Sequence, residues 1–106
     1  MLTFPPIDPD AVKVLTFDFT QALGPNEVLQ GGAQLLGVTC TAGFDPSPMT
    51  IVIGPPSYDI TGIKILIPVG NLSIRNGNDY EFEVASATNF KPEVIVGRAL
   101  LQVRIS

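Results

Sequence analysis

The sequence predicts an all-β protein, an immunoglobulin-like antiparallel β-sandwich of six to seven strands behind an extended N-terminal arm. Three observations carry that expectation. Apolar and polar residues alternate in runs such as Val14-Leu15-Thr16-Phe17-Asp18-Phe19 and Tyr80-Glu81-Phe82-Glu83-Val84, and a period of two puts successive side chains on opposite faces of a strand. Clusters of Gly, Pro, Asn and Asp separate the runs, and short strands with turn signals every ~8–12 residues favour a sandwich over a closed barrel. No segment keeps a helical i, i+3, i+4, i+7 stripe free of Gly or Pro.

The elements follow in order. Three prolines in Phe4-Pro5-Pro6-Ile7-Asp8-Pro9-Asp10 fix φ and remove amide donors, so residues 1–11 are expected to form an arm outside any sheet, ahead of a sandwich domain at 12–106. The first strand falls near 12–20, with Leu15, Phe17 and Phe19 on one face. After a turn at Gly24-Pro25-Asn26 and an irregular stretch around Gly31-Gly32, a second strand near 34–42 turns Leu36, Val38, Cys40 and Ala42 to the core and Thr39 and Thr41 to solvent. A proline-punctuated loop from Gly43 to Pro48 leads to a short strand near 50–54, closed by Gly54-Pro55-Pro56. Ile63, Ile65, Ile67 and Val69 mark the next strand, where Pro68 implies a sheet edge or a strand end. Asn76-Gly77-Asn78-Asp79 is a strong turn signal, and beyond it Tyr80, Phe82 and Val84 point in while Asp79, Glu81 and Glu83 point out. Tyr80 stands where the tyrosine of a corner motif would open a late strand. The last strand, about 95–105, opposes Ala99, Leu101, Val103 and Ile105 to Arg98, Gln102 and Arg104.

Composition narrows the function. A chain of 106 residues makes one domain that buries roughly 65% of its unfolded surface. With 45% hydrophobic and only 15% charged residues, it is too apolar for a disordered segment and apolar enough to expect coverage by neighbours. A net charge of −4 argues against nucleic acid, whose affinity rests on neutralised phosphates. No apolar run approaches the ~20 residues of a membrane span, and Met1-Leu2-Thr3-Phe4 lacks the basic flank and apolar stretch of a signal peptide. The single cysteine, Cys40, rules out an internal disulfide and suits a reducing compartment.

Candidate sites are few. Alternation places Cys40 on the buried face with no neighbouring cation to activate it. Histidine is absent, which removes Ser-His and Cys-His nucleophiles and imidazole ligands. Phosphate-binding glycine loops and serine-nucleophile motifs are missing too. Asp79, Glu81 and Glu83 lie ~6.6 Å apart along a strand, so the outer two cannot share one ion; Asp8 and Asp10 supply too few ligands. An enzyme would have to be built from carboxylates and lysines such as Lys64 or Lys91, which nothing gathers together. The expectation is therefore no catalytic residue, no cofactor and no metal. Large apolar side chains in loops remain. Phe4, Pro5, Pro6, Ile7 and Pro9 of the arm, with Phe44, Tyr58 and Phe90, are the candidate partner-binding residues. In an immunoglobulin-like fold Phe4, Phe44 and Phe90 are expected to gather at one end.

Two stretches resemble a known family. Phe4-Pro5-Pro6-Ile7-Asp8-Pro9-Asp10-Ala11-Val12, then Leu15-Thr16-Phe17-Asp18-Phe19-Thr20 and Leu23-Gly24, resembles the opening of the small fiber–tail adaptors of tailed bacteriophages, with a Phe-Pro-x-x-Asp-Pro arm and a strand carrying Asp-Trp-Ser or a relative of it. Asn76-Gly77-Asn78-Asp79-Tyr80 is similar to the hairpin before that family's final strand; Phe19 and Thr20 stand where Trp and Ser are usual. The resemblance implies a non-enzymatic virion protein in several copies, made in the host bacterial cytoplasm, that joins a fiber to the tail tube, nozzle or tail adaptor. Its partners would be those tail proteins, the fiber and copies of itself, with no nucleic acid and no membrane. A capsid decoration protein, or a carbohydrate-binding or adhesion module on the same scaffold, are the alternatives.

Overall fold

The computed structural model describes residues 2–90 and 92–105; Met1, Lys91 and Ser106 lie outside them, and with them the second lysine considered above. Seven strands run β1 (Leu2–Thr3), β2 (Lys13–Asp18), β3 (Leu29–Ala42), β4 (Ser57–Tyr58), β5 (Lys64–Val69), β6 (Asp79–Thr88) and β7 (Val94–Gln102), with one 3₁₀ turn at Pro48–Ile51. There is no α-helix among the described residues. The strands form two sheets, β1-β7-β6-β3 and β2-β5-β4. β1 runs parallel to β7 and the other ladders are antiparallel.

The sheets pack as a β-sandwich whose core follows the predicted alternation. Leu15 and Phe17 of β2 and Ile65, Ile67 and Val69 of β5 share one buried cluster with Val38 of β3, Tyr80, Phe82 and Val84 of β6, and Ala99 and Leu101 of β7. Each fully buried side chain of this size stabilises the fold by about 1.5–3 kcal/mol relative to exposure, so strand phase is fixed wherever these residues fall.

The expected arm is corrected most. Its first residues are extended, but they lie along the chain's own last strand rather than outside the sheets. Leu2 and Thr3 pair with Ala99 and Leu100, the Phe4 amide donates to Leu100 O at 2.9 Å, and Ile7 donates to Gln102 O and accepts from Arg104 N, both at 2.9 Å. Ile7 is 1% exposed, Pro9 is buried, and the Phe4 ring stands edge-on to Phe17 with centroids 5.2 Å apart. Proline removes its own donor only. Phe4 and Ile7 keep theirs, and both find carbonyls on β7.

Other differences have local causes. Irregular pairing between Leu35 and Gly37 is a bulge that reverses the phase of β3. Leu35 therefore packs against the core while Leu36 is exposed, and inward pointing resumes at Val38. Cys40 is half-buried and Ala42 exposed. Residues 50–54 make no strand: the 3₁₀ turn ends at Ile51, and only Val52 bridges, to Val69. Of the two positions Pro68 implied, the strand end is the one observed: β5 is the middle strand of its sheet, and Pro68 is its last residue but one. Pro68 fits there because the Phe19 amide donates to Ile63 O, and two-residue alternation from that bond turns residue 68 away from β2, where its missing donor breaks no ladder. Ile105 lies beyond the last ladder and is exposed.

Candidate functional site

The residues singled out in the sequence do not gather in one region. Phe44 sits in the loop after β3, held at the start of β6: Asn78 Nδ2 donates to Phe44 O at 3.0 Å, and Phe44 N donates to Asn78 Oδ1 at 3.3 Å. Phe90 follows the other end of β6, where Asn89 N donates to Val28 O and Val28 N to Asn89 Oδ1. Ten residues of strand separate the two loops by about 30 Å. The expected gathering of Phe4, Phe44 and Phe90 at one end is thus replaced by opposite ends for Phe44 and Phe90, because antiparallel β3 and β6 run side by side and send their connections opposite ways.

At the Phe44 end a buried polar hub fixes the loop. The Asp45 carboxylate accepts from Tyr80 Oη at 2.7 Å, Arg75 Nε at 2.7 Å and the Ser47 amide at 2.8 Å. Arg75 also donates to Thr50 Oγ1 at 2.7 Å and to the Asn71 carbonyl. Burial pushes the Asp45 carboxyl up, but these donors outweigh it and hold it below the usual carboxylate range. Burial, with the Asp45 charge beside it, pushes the Tyr80 hydroxyl up to about 12. Each nitrogen of the guanidinium donates to a group within the loops, so the hub ties two loops together. Above it Phe44, Pro46 and Ile74 line a cleft of about 330 Å³ whose floor is Asp45 and Arg75. Phe44 and Ile74 are 81% and 86% exposed, which gives this end of the sandwich an exposed apolar rim. Tyr80 was visible in the sequence; its partner Asp45, 35 residues away, was not, since nothing local marks a carboxylate as a distant acceptor.

At the Phe90 end two carboxyl groups meet. Glu27 is buried and accepts from Gly24 N at 2.9 Å and Thr88 Oγ1 at 2.7 Å. The Glu93 carboxyl hydrogen-bonds to it; that contact, with the Gly24 and Thr88 donors, holds Glu27 low, and the same contact and charge push Glu93 up. Sequence reasoning missed this pair as well. Phe90 is 45% exposed and caps this end.

The remaining candidates divide. Pro5 and Pro6 are exposed, Phe4 is half-buried, and Ile7 and Pro9 are buried. Tyr58 bridges the sheets: its hydroxyl lies 2.7 Å from Ser86 Oγ of β6 and its ring packs against the core. It is a core plug. Two of the three acidic residues at the start of β6 are paired: Arg98 of β7 with Glu83 at 2.5 Å, and Arg104, just beyond β7, with Asp79 at 2.7 Å. Comparison of the chain with protein-family models, curated proteins and solved structures gives no match.

Proposed function

We propose that this protein is a non-catalytic structural adaptor of a tailed-phage virion, made in the host cytoplasm, that joins a fiber to the tail by gripping other polypeptides. The observation that carries the reading is the exposed apolar rim at one end of the sandwich, Phe44 and Ile74 over a cleft whose polar floor is already satisfied. A floor whose polar atoms are already bonded within the protein, under an apolar rim, suits a protein surface better than a small polar ligand. The resemblance of the two chain ends to fiber–tail adaptors supplies the particular assembly. With Ile7 and Pro9 buried against the chain's own sheet, contact from the first residues falls to Pro5 and Pro6, and the loops carry more of the interface.

An immunoglobulin-like topology belongs to the same proposal. Taking β2-β5-β4 as strands B-E-D and β3-β6-β7 as C-F-G accounts for both sheets. The first strand would then have left the edge of B for the edge of G. Tyr80 opens the strand corresponding to F, as in a tyrosine corner, though its hydroxyl meets a distant carboxylate.

The test is incorporation. Phe44→Glu together with Ile74→Glu changes two exposed side chains, so the domain is expected to stay folded while particles assembled with it lose the protein and its fiber. Normal incorporation would overturn the reading, and location on the capsid shell would replace it by a cement protein. The sugar-binding alternative has lost a ring, because Tyr58 is engaged with Ser86.

A further inference from the structure

We infer that the free edge of β2 is a strand-addition site, which takes an extended segment of another polypeptide carrying alternate apolar residues and a carboxylate at the end beside Lys13. β2 is an outer strand of its sheet, paired with β5 alone. Since the Phe19 amide donates to Ile63 O, and the register sets Lys13, Leu15 and Phe17 opposite Val69, Ile67 and Ile65, the backbone groups of those three face β5. The groups of Val14, Thr16 and Asp18 therefore face outward, at the spacing that another strand supplies. Such a row of donors and acceptors is matched by polypeptide backbone and by little else.

Two comparisons single out this edge. The long outer strand β3 is interrupted by register shifts at three places, the usual protection of an edge against pairing. The β2 ladder has none, and no proline lies within the strand. The outer side of β7 is partly covered by residues 2–7, the same residues that would have been free to cover β2.

Beside β2 lies a groove of about 210 Å³, whose lining includes Phe4, Pro5, Ile7, Lys13, Leu15 and Leu101. It has room for one or two apolar side chains from the inward face of an added strand. Lys13 makes no ion pair among the described residues. On a chain of net charge −4, a lysine lining the groove without such a pair favours an acidic occupant. This deepens the assembly reading and rests on it only for which virion polypeptide supplies the strand.

The experiment uses the full chain and an array of seven-residue peptides that alternate Thr with Val, Leu, Ile or Phe, half ending in Glu and half in Lys at the position beside Lys13. Bound peptides are expected to slow hydrogen exchange at the amides of Val14, Thr16 and Asp18, with Glu peptides favoured about two- to fivefold. N-methylating the peptide amides that face β2 is expected to weaken binding by about tenfold or more, while methylating the alternate amides leaves it. Thr16→Pro removes an outward donor without touching the β5 ladder and should have the same effect. Absence of any binder at millimolar peptide, binding that survives the facing methylations, or protection elsewhere would overturn the inference. Protection of the same amides without peptide, rising with protein concentration, would replace the foreign strand by a second copy. All of these outcomes are independent of virion incorporation, so a failure here and a failure of the adaptor reading are told apart.

Discussion

Ile7→Ala tests whether the first residues belong to the fold. The Ile7 side chain is 1% exposed and lies in the central cluster, while its backbone is bonded on both sides to β7. Alanine keeps the backbone bonds and deletes three carbons. At about 0.8 kcal/mol per buried carbon the transfer loss is about 2.4 kcal/mol, and the cavity left behind brings the expected total to about 2–5 kcal/mol. Equilibrium unfolding in urea reads this directly, as a midpoint lowered by about 1 M or more at unchanged slope. Ile60→Ala is the control: Ile60 is fully exposed, and the same truncation there should stay within about 0.5 kcal/mol. If the two variants lose equally little, residues 2–7 are off the sheet in solution and the detached arm is restored.

Three further outcomes probe the loops. Tyr80→Phe should cost about 1–3 kcal/mol by leaving Asp45 and Asn78 without the shared hydroxyl, and should raise the Asp45 pKa; an Asp45 titration by NMR that does not move would dissolve the hub. Gly43→Ala should be worse than Gly77→Ala. Both glycines have positive φ, worth about 1–3 kcal/mol of strain for alanine, but only at Gly43 would the new methyl fall 1.9 Å from Asn78 Oδ1, so equal losses in thermal melts would refute that close approach. The Glu27–Glu93 pair predicts opposite pH dependences. Glu93 is raised, so its contribution is present below the ordinary carboxyl range and fades as pH climbs through its folded value; Glu27 is lowered, so its contribution is present above that range and fades as pH falls through its folded value. Glu93→Gln should flatten the upper flank of melting temperature against pH, and superposition on the parent profile would exclude the shared contact.

Legibility in the sequence tracked how local the deciding physics was. β5 and the first half of β6 are readable residue by residue, because Ile65, Ile67 and Val69, and Tyr80, Phe82 and Val84, alternate without a break. The turn at 76–78 was equally plain from Asn76-Gly77-Asn78. β3 is half-readable: alternation finds its core residue Val38 but sets Leu36 on the wrong face. A bulge inserts one residue and flips everything before it, and alternation alone does not show where the flip falls. Tyr58 and Phe90 look alike in sequence as loop aromatics. A hydroxyl within reach of Ser86 draws one inward, and the other caps the far end of β6.

Residue chemistry alone therefore determined the all-β class, most of the inward-facing set and the absence of histidine chemistry, since side-chain period and composition need no knowledge of partners. The tertiary structure alone decided that the proline-rich opening lies on β7, that β2 keeps an open edge, and that Asp45 meets Tyr80 and Glu27 meets Glu93. Each of these depends on backbone or side-chain groups distant in sequence meeting across the sandwich. Proline at positions 5 and 6 said which donors were missing; only the fold said where the donors of Phe4 and Ile7 would go.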